Sequence, residues 1–252
     1  MSIRKYVDLH CHILPGVDDG AADVEQSQRM LRMAAQEGIC EMIATPHYKA
    51  GRGRRNATCE RVRTLVQEMQ DWLDSESIPI HLYTGNEILY NYEIDNLLES
   101  HEVCTLADSF YVLVEFSPSD EYSYIKNGVQ KILMAGYVPV IAHIERYEVL
   151  RKHTAYVEEL TEMGAYLQVN AASITGKSGW LVKRCVLKWI RDELIYAVAS
   201  DTHDDKKRVP VLGEAYDIIE KRCGSEVAQM LFYQNPKRIL ETKIEREQTQ
   251  VG

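Results

Sequence analysis

No apolar run in the 252-residue sequence approaches the roughly 20 residues that cross a bilayer. Nor does the chain open with a positively charged region followed by an apolar stretch and a small-residue cleavage site. Together these absences predict a cytoplasmic protein with no direct membrane insertion. Positive charge is also scarce. With 29 Lys and Arg against 38 Asp and Glu, the net charge is −9 and there is no basic tail, which argues against binding nucleic acid or an anionic membrane through phosphate contacts. The six cysteines, at 11, 40, 59, 104, 185 and 223, show no CxxC spacing. They lack the density of a disulfide scaffold, so reduced thiols, mostly small core residues, are expected. Internal repeats, low-complexity segments and Gly/Ser linkers are missing as well. The whole of 1–252 therefore reads as one domain, with a frayed polar tail from about Ile244.

What is present suits a large α/β unit. A hydrophobic fraction of 45% with 27% charged residues is that of a globular chain with a real core, not of a disordered one. Short apolar or β-branched runs at 6–10, 41–45, 80–85, 110–115, 138–142, 166–170 and 195–200 alternate with helical spacing, which predicts parallel strands. In 122–135, Ile125, Val129, Ile132 and Leu133 share a helical face, and Gly136 stands where a C-terminal stop belongs. Asp23 and Gln26 have the spacing of a capping box. Seven such units suit an open sheet or a closed barrel. The polar residues favour the barrel, because nearly all lie at C-terminal strand ends drawn from the whole chain, and a barrel gathers those ends at one face.

The first polar signal is His10-Cys11-His12. On a strand, alternate side chains share a face, so the two imidazoles can grip one cation while Cys11 turns away. Alone, the pair is equally well read as two half-buried histidines bonded to backbone. It is followed by Gly16-Val17-Asp18-Asp19-Gly20, with two carboxylates between glycines, one of which is expected to be an ordinary turn residue. His47 follows Pro46 at the tip of the second run. Glu87 ends Thr84-Gly85-Asn86-Glu87, and Glu115 interrupts the apolar Tyr111–Phe116, where a carboxylate is costly unless a cation or donor meets it. His143 ends Val138–Ala142, and Asp201 and His203 end the seventh run. His81, His101 and His153, in charged or loop contexts, are expected at the surface. The candidate set is all nitrogen and oxygen, which suits Mn²⁺, Fe²⁺ or Zn²⁺ better than a cysteine zinc knot. Arg146 and Arg208 lie three and five residues beyond His143 and His203. Both can hold a phosphoryl group through paired hydrogen bonds; the plainer alternative is surface ion pairing with Glu145 or Asp204. The basic loop Lys49–Arg55 can attract an acidic phosphopeptide, although such loops are usually only solvated.

In order, His-Cys-His with GVDDG, ATPH at 44–47, GNE at 85–87, VEF at 114–116, AHIERY at 142–147 and SDTH at 200–203 resemble the motifs of the polymerase-and-histidinol-phosphatase (PHP) superfamily. Within it, GVDDG, AHIERY and the single-domain length resemble the bacterial capsular-polysaccharide tyrosine phosphatases. The resemblance spans residues 6–210. It implies a distorted seven-stranded (β/α)7, TIM-like barrel with three divalent metals, often manganese. It places His10, His12, Glu87 and Asp201 around one metal, Glu87, Glu115 and His143 around a second, and Asp19, His47 and His203 around a third. Glu87 would bridge the first two, and Asp19 is preferred to Asp18 because the family ligand precedes the glycine. Arg146 and Arg208 match the phosphate-binding arginines, and His47 or Asp201 are candidates for a general acid. The implied substrate is phosphotyrosine on the Tyr-rich tail of a kinase controlling exopolysaccharide synthesis, with homo-oligomerisation left open. A histidinol-phosphate phosphatase and a non-catalytic phosphotyrosine-binding module are the rival readings. A cysteine nucleophile is disfavoured, since only Cys185 is followed six residues later by an arginine, Arg191, and it lies within helical apolar spacing.

Overall fold

The computed structural model describes residues 4–51 and 57–250, with side chains described as far as residue 242. Arg52–Arg55 of the basic loop lie outside the described residues, as do the side chains on which the expected tail from about 244 would be judged. The parallel strands are β1 (Tyr6–Cys11), β2 (Ile39–Ala44), β3 (His47–Tyr48), β4 (His81–Thr84), β5 (Glu87–Leu89), β6 (Tyr111–Glu115), β7 (Val138–Ile141), β8 (Tyr166–Asn170) and β9 (Ala197–Ala199). They pair as β1-β2-β4 and as β3-β5-β6-β7-β8-β9.

The two sheets are one distorted barrel. The second strand position bends at Pro46 and resumes as β3, and the third bends at Gly85-Asn86 and resumes as β5, so β2 pairs with β4 below the bend and β3 with β5 above it. Counting each bent pair once recovers the seven expected positions. The expected strand 80–85 is thus followed, past the bend, by a second short strand that carries Glu87. Asn86 holds the bend: its amide donates to the carbonyls of Pro46 (3.1 Å) and Ala57 (2.9 Å), and its Oδ1 accepts from Cys104 N at 2.8 Å. At Gly85 a Cβ would come within 2.9 Å of the Ile43 side chain, so only glycine lets the chain turn this close to β2. The last seam closes through Asp201 N donating to His10 O and His12 N donating to Thr202 O, both at 2.9 Å. The seventh strand is shorter than the expected 195–200 because Ser200 leaves the ladder to donate to buried Asp8.

Two apolar layers follow from the strand period. Val7, Leu9, Ile43, Leu113, Val140, Ala142, Ala197 and Ala199 fill the barrel, joined by Leu106, Ile239 and Leu240. Val112, Val114, Ile141, Leu167, Val169 and Val198 face outward against the helices. These helices are α1 (Val24–Glu37), α2 (Cys59–Ser75), α3 (Ile94–Glu99), α4 (Tyr122–Met134), α5 (Glu148–Lys152), α6 (Thr154–Glu162), α7 (Ala171–Thr175), α8 (Trp180–Arg191), α9 (Gly213–Cys223), α10 (Ser225–Gln229) and α11 (Asn235–Gln250). α4 ends two residues before Gly136, which adopts φ 84° as the stop requires. Ile125, Val129 and Ile132 of its apolar face are buried, and Leu133 packs partly buried beside them.

The cysteine expectation needs one correction. Cys59 and Cys104 form a disulfide, with their Cα atoms 4.8 Å apart. Their separation of 45 residues carries no spacing signal. The pair is brought together by the start of α2 donating from Cys59 N to Glu102 O, and by the Asn86 clasp on Cys104. The other four cysteines are free thiols. Among the described residues no helix is long and apolar enough to cross a membrane.

α1 starts as its sequence predicts: Asp23 accepts from Gln26 N at 2.8 Å, while Gln26 Oε1 accepts from Ala22 N, one residue earlier than in the usual reciprocal box. Asp23→Ala is expected to cost about 1 kcal/mol of stability, read as a lower urea midpoint with an unchanged slope; an unaltered midpoint would mean that the cap contributes nothing.

Candidate metal centre

On two of the strands the apolar interior gives way to a polar side chain two residues further along: Leu113 is followed by Glu115 and Ala199 by Asp201. On β1 the period is interrupted. Register shifts between Asp8 and Cys11 allow Val7 and Leu9 to enter the barrel core while the His10 ring still reaches across to β8. His10 and His12 then present their Nε2 atoms to each other at 3.2 Å, and Cys11 packs away in the outer core. Two further residues leave their strands in left-handed backbone conformation, His143 at φ 33° and Asp201 at φ 51°. Each costs on the order of 1–2 kcal/mol for a residue with a Cβ, and such outliers concentrate where a side chain must be aimed.

Glu87 is the hub. Its Oε2 lies 3.3 Å from His10 Nε2, 3.2 Å from His12 Nε2 and 2.9 Å from His47 Nδ1, while Oε1 lies 2.7 Å from His143 Nε2. Asp201 Oδ1 stands 3.5 Å from both His10 and His12, and Glu115 Oε1 is 3.1 Å from His47 Nδ1. At the outer rim Asp19 Oδ1 faces His47 Nε2 at 3.4 Å and His203 Nε2 at 3.7 Å. All nine candidate residues therefore meet at one end of the barrel. Three groups have donor atoms within 4.8 Å of one another: His10, His12 and Asp201; His47, Glu87 and Glu115; and His12, Asp19, His47 and His203.

The grouping differs from the expected one: Glu87 falls only with His47 and Glu115, and His12 joins the outer group as well as the first. His47 stands between the second and third groups, one ring nitrogen toward each, and His143 meets Glu87 closely but Glu115 only at 3.8 Å. Asp18 and Asp19 are placed differently. Asp18 accepts from His12 Nδ1 (2.7 Å), His47 N (2.9 Å) and Gly20 N (2.9 Å), so it is occupied in holding the loop and the His12 tautomer. Asp19 is 69% exposed at its side chain and faces the two outer histidines. Gly20 is fixed in this loop, since a Cβ there would sit 2.1 Å from the His12 carbonyl oxygen.

Whether cations fit here is a question of charge and of unmet polar atoms. Glu87 Oε2, Glu115 Oε1, Asp201 Oδ1, His47 Nδ1 and His143 Nδ1 are buried without a well-aligned hydrogen bond, a costly condition unless something positive sits among them. Burial alone would raise Glu87, but His10, His12 and His143 pull it well below the ordinary carboxylate range. Asp201 is likewise raised by burial and then brought well below by His10, His12 and Arg146. Burial opposes charge on His47, yet Glu115 and Glu87 lift it to about 9, whereas burial and the neighbouring His12 push His203 down to about 3. Protons on imidazoles thus stand in for the positive charge that divalent cations supply. The nitrogen and oxygen donors, without thiolate, fit Mn²⁺, Fe²⁺ or Zn²⁺.

Arg146 and Arg208 both reach Asp201 Oδ2, at 2.5 and 2.8 Å, which replaces the anticipated alternative of pairing with Glu145 or Asp204 side chains. Both guanidiniums remain about 40% exposed and line a cavity of about 230 Å³ with Asp201, Asn170 and Ser200. The mouth is thus cationic beside a buried acidic floor, an arrangement suited to a phosphoryl group. His81, His101 and His153 are exposed, as expected.

Strand β8 supplies residues that the sequence reading passed over. Gln168 Oε1 accepts from His143 N (2.8 Å) and so must also accept from His10 Nδ1 (3.1 Å), which leaves His10 Nε2 for the centre. Gln168 Nε2 donates to Asn170 Oδ1, and Asn170 Nδ2 donates to Asp201 Oδ2 at 2.6 Å. Buried Glu145 anchors the end of β8 by accepting from Asn170 N and Ser173 Oγ. A signal existed: in Tyr-Leu-Gln-Val-Asn the amides alternate with apolar residues as Glu115 does. Gln168→Leu is expected to weaken metal binding by about 10- to 100-fold with an unchanged far-ultraviolet spectrum; titration calorimetry showing native affinity would remove Gln168 from this role.

Comparison with known proteins gives an independent reading. A family model described as capsular polysaccharide synthesis, CpsB/CapC, matches residues 6–241. The tyrosine-protein phosphatase CpsB of Streptococcus pneumoniae is 34% identical over 239 residues, covering 93% of this chain and 98% of its own. The tyrosine-protein phosphatase YwqE of Bacillus subtilis (strain 168) is 36% identical over 225 residues, covering 89% and 88%. A solved structure from a study of YwqE and S. pneumoniae CpsB, described as metal-dependent tyrosine phosphatases, superposes with a TM-score of 0.88 at 35% identity, covering 94% of this chain and 95% of that one. The histidinol phosphate phosphatase of Lactococcus lactis, solved with zinc, L-histidinol and phosphate, shares the fold at a TM-score of 0.54 and 13% identity, covering 86% and 94%.

Proposed function

The chain belongs to the CpsB/CapC family of capsular polysaccharide synthesis, and from that premise we propose that it is a metal-dependent protein-tyrosine phosphatase of the PHP type. Its substrate is phosphotyrosine on a bacterial kinase that regulates capsule or exopolysaccharide synthesis, and it acts in the cytoplasm with three divalent cations, manganese first among them. The observation that carries this reading is the buried Glu87 carboxylate with four imidazoles around it, beside two arginines at an open cavity.

In this reading His10, His12, Glu87 and Asp201 hold one cation, Glu87, Glu115 and His143 a second, and Asp19, His47 and His203 the third. Cations so held supply Lewis acidity to the phosphoryl oxygens and lower the pKa of water. The chain's own residues do the rest. Arg146 and Arg208 turn from Asp201 to the equatorial phosphoryl oxygens and stabilise the charge that grows there. The Gln168–Asn170 pair keeps His10 and Asp201 aimed while the arginines exchange partners. The leaving phenol has a pKa of about 10, low enough that a general acid helps without being indispensable. Of the two candidates for moving that proton, Asp201 is held against burial well below the ordinary carboxylate range by His10, His12 and Arg146, which leaves His47, lifted against burial by Glu115 and Glu87. Free thiols take no part: Cys11 is buried and its thiol is raised well above its ordinary value by burial.

Enzyme stripped with a chelator is expected to lose turnover of a phosphotyrosine peptide and to recover it with manganese. Glu87→Gln is expected to reduce kcat by at least about 10³-fold, since one carboxylate serves two cations; near-native turnover would disprove the bridge. A preference for histidinol phosphate over the phosphotyrosine peptide in kcat/KM would contradict the substrate assignment.

A further inference from the structure

In a chain of net charge −9, α8 is an exception. Its twelve residues, Trp-Leu-Val-Lys-Arg-Cys-Val-Leu-Lys-Trp-Ile-Arg, hold four cations and no acid. Val186, Leu187, Trp189 and Ile190 pack inward, and the outer side is left to the basic residues. Trp180 and Leu181, in the first turn, are 67% and 71% exposed. An indole so far in water is unusual, since Trp is among the most buried residue types on average, and Trp beside Arg is the composition of binding hot spots. Arg184 lies over the Trp180 ring with its Cζ 5.7 Å from the centroid. Trp180, Lys183, Arg184, Leu187, Arg191 and Arg222 line a shallow groove of about 350 Å³. No carboxylate is among these lining residues. Of the acids that follow the helix, Asp192 is engaged with Lys188 at 2.6 Å, and Glu193, exposed beyond it, does not line the groove.

The groove lies beside the mouth of the metal centre: Lys183 of the groove donates to the carbonyl of Thr175, which lines the cavity under Arg146 and Arg208, at 3.3 Å. Lys177 and Ser178 line the cavity under Arg146 and Arg208, and α8 begins two residues after Ser178. The helix is roughly 18 Å long, a span that an extended peptide covers in about five or six residues. We propose that this face of α8 docks an Asp- or Glu-rich segment of the substrate polypeptide, within about six residues of the phosphotyrosine. The inference rests on the phosphatase reading above and adds the substrate's flanking chemistry to it. A positive face on an acidic protein selects anionic partners and steers their approach. Trp180 supplies the apolar contact that holds the segment once it has arrived.

The test uses the manganese-loaded enzyme, its Arg184→Glu/Arg191→Glu variant and a Trp180→Ala variant. The substrates are p-nitrophenyl phosphate, a phosphotyrosine peptide with neutral flanks, and the same peptide with glutamate flanks. The native enzyme is expected to prefer the acidic peptide through KM. Charge reversal should raise that KM by about five- to tenfold, as expected for two exposed charge pairs turned repulsive, with the other two substrates within about twofold. Equal KM for both peptides in the native enzyme overturns the proposal, as does an equal loss on all three substrates. A non-phosphorylated, fluorescently labelled glutamate peptide tests docking apart from catalysis. Its binding should weaken with added salt and in both variants, and no measurable binding refutes the inference even if turnover is normal. No turnover of any substrate, with the labelled peptide still bound at α8, defeats the phosphatase reading and leaves the docking face standing. If phosphatidylserine vesicles bind this face while the peptide constants stay unchanged on charge reversal, the face serves lipid and the proposal is wrong.

Discussion

A carboxylate buried at the centre of a ring of imidazoles governs the upper half of this molecule. Glu87 is inaccessible to water, and burial works against its charge. Only nearby positive charge reverses that, and His10, His12, His47 and His143 all stand within 3.3 Å of its oxygens. Several imidazoles this close to one another cannot all carry protons cheaply, as the depression of His203 by burial and by the neighbouring His12 illustrates. A set of shared divalent cations would satisfy the carboxylates and the ring nitrogens together. The same crowding explains the left-handed backbone at His143 and Asp201, since both residues must turn inward at the point where their strands end.

The barrel makes this crowding structurally tolerable. Its lower interior is apolar and closely filled, and the polar residues begin only where the strands open toward solvent. Four of the candidate ligands have a partner one layer out. Asp18 holds His12, Gln168 holds His10 and the His143 backbone, and Asn170 holds Asp201. Orientation is thereby set before a cation arrives, which is what a preformed site requires. The arginine pair is held in reserve on Asp201. A phosphoryl group entering the cavity would compete with Asp201 for the same guanidiniums, while Asn170 keeps the carboxylate in place.

Much of this was legible in the amino-acid sequence because strand ends are short and their polar residues stand out against apolar runs. Glu115 inside Tyr-Val-Leu-Val-Glu-Phe and His143 after Val-Pro-Val-Ile-Ala are conspicuous for that reason, and the capping residue Asp23 is a local signal that tertiary packing left intact. What was not legible depends on contacts between distant segments. The bend that moves Glu87 onto its own short strand is set by the Asn86 clasp on Pro46, Ala57 and Cys104. The Cys59–Cys104 bond follows from that clasp and not from cysteine spacing. His47 faces two groups at once because the second strand bends at Pro46, a geometry that one-dimensional spacing does not encode. Gln168 and Asn170 carry no charge, so neither attracts notice until the rings they orient are known.

The central claim, that distant strand ends share cations through Glu87, is tested most directly by locating those cations. Anomalous diffraction from manganese-loaded crystals, collected on both sides of the manganese edge, is expected to show three peaks at this end of the barrel, two of them within bonding distance of Glu87. Peaks confined to the surface, or a single peak away from Glu87, would contradict the account.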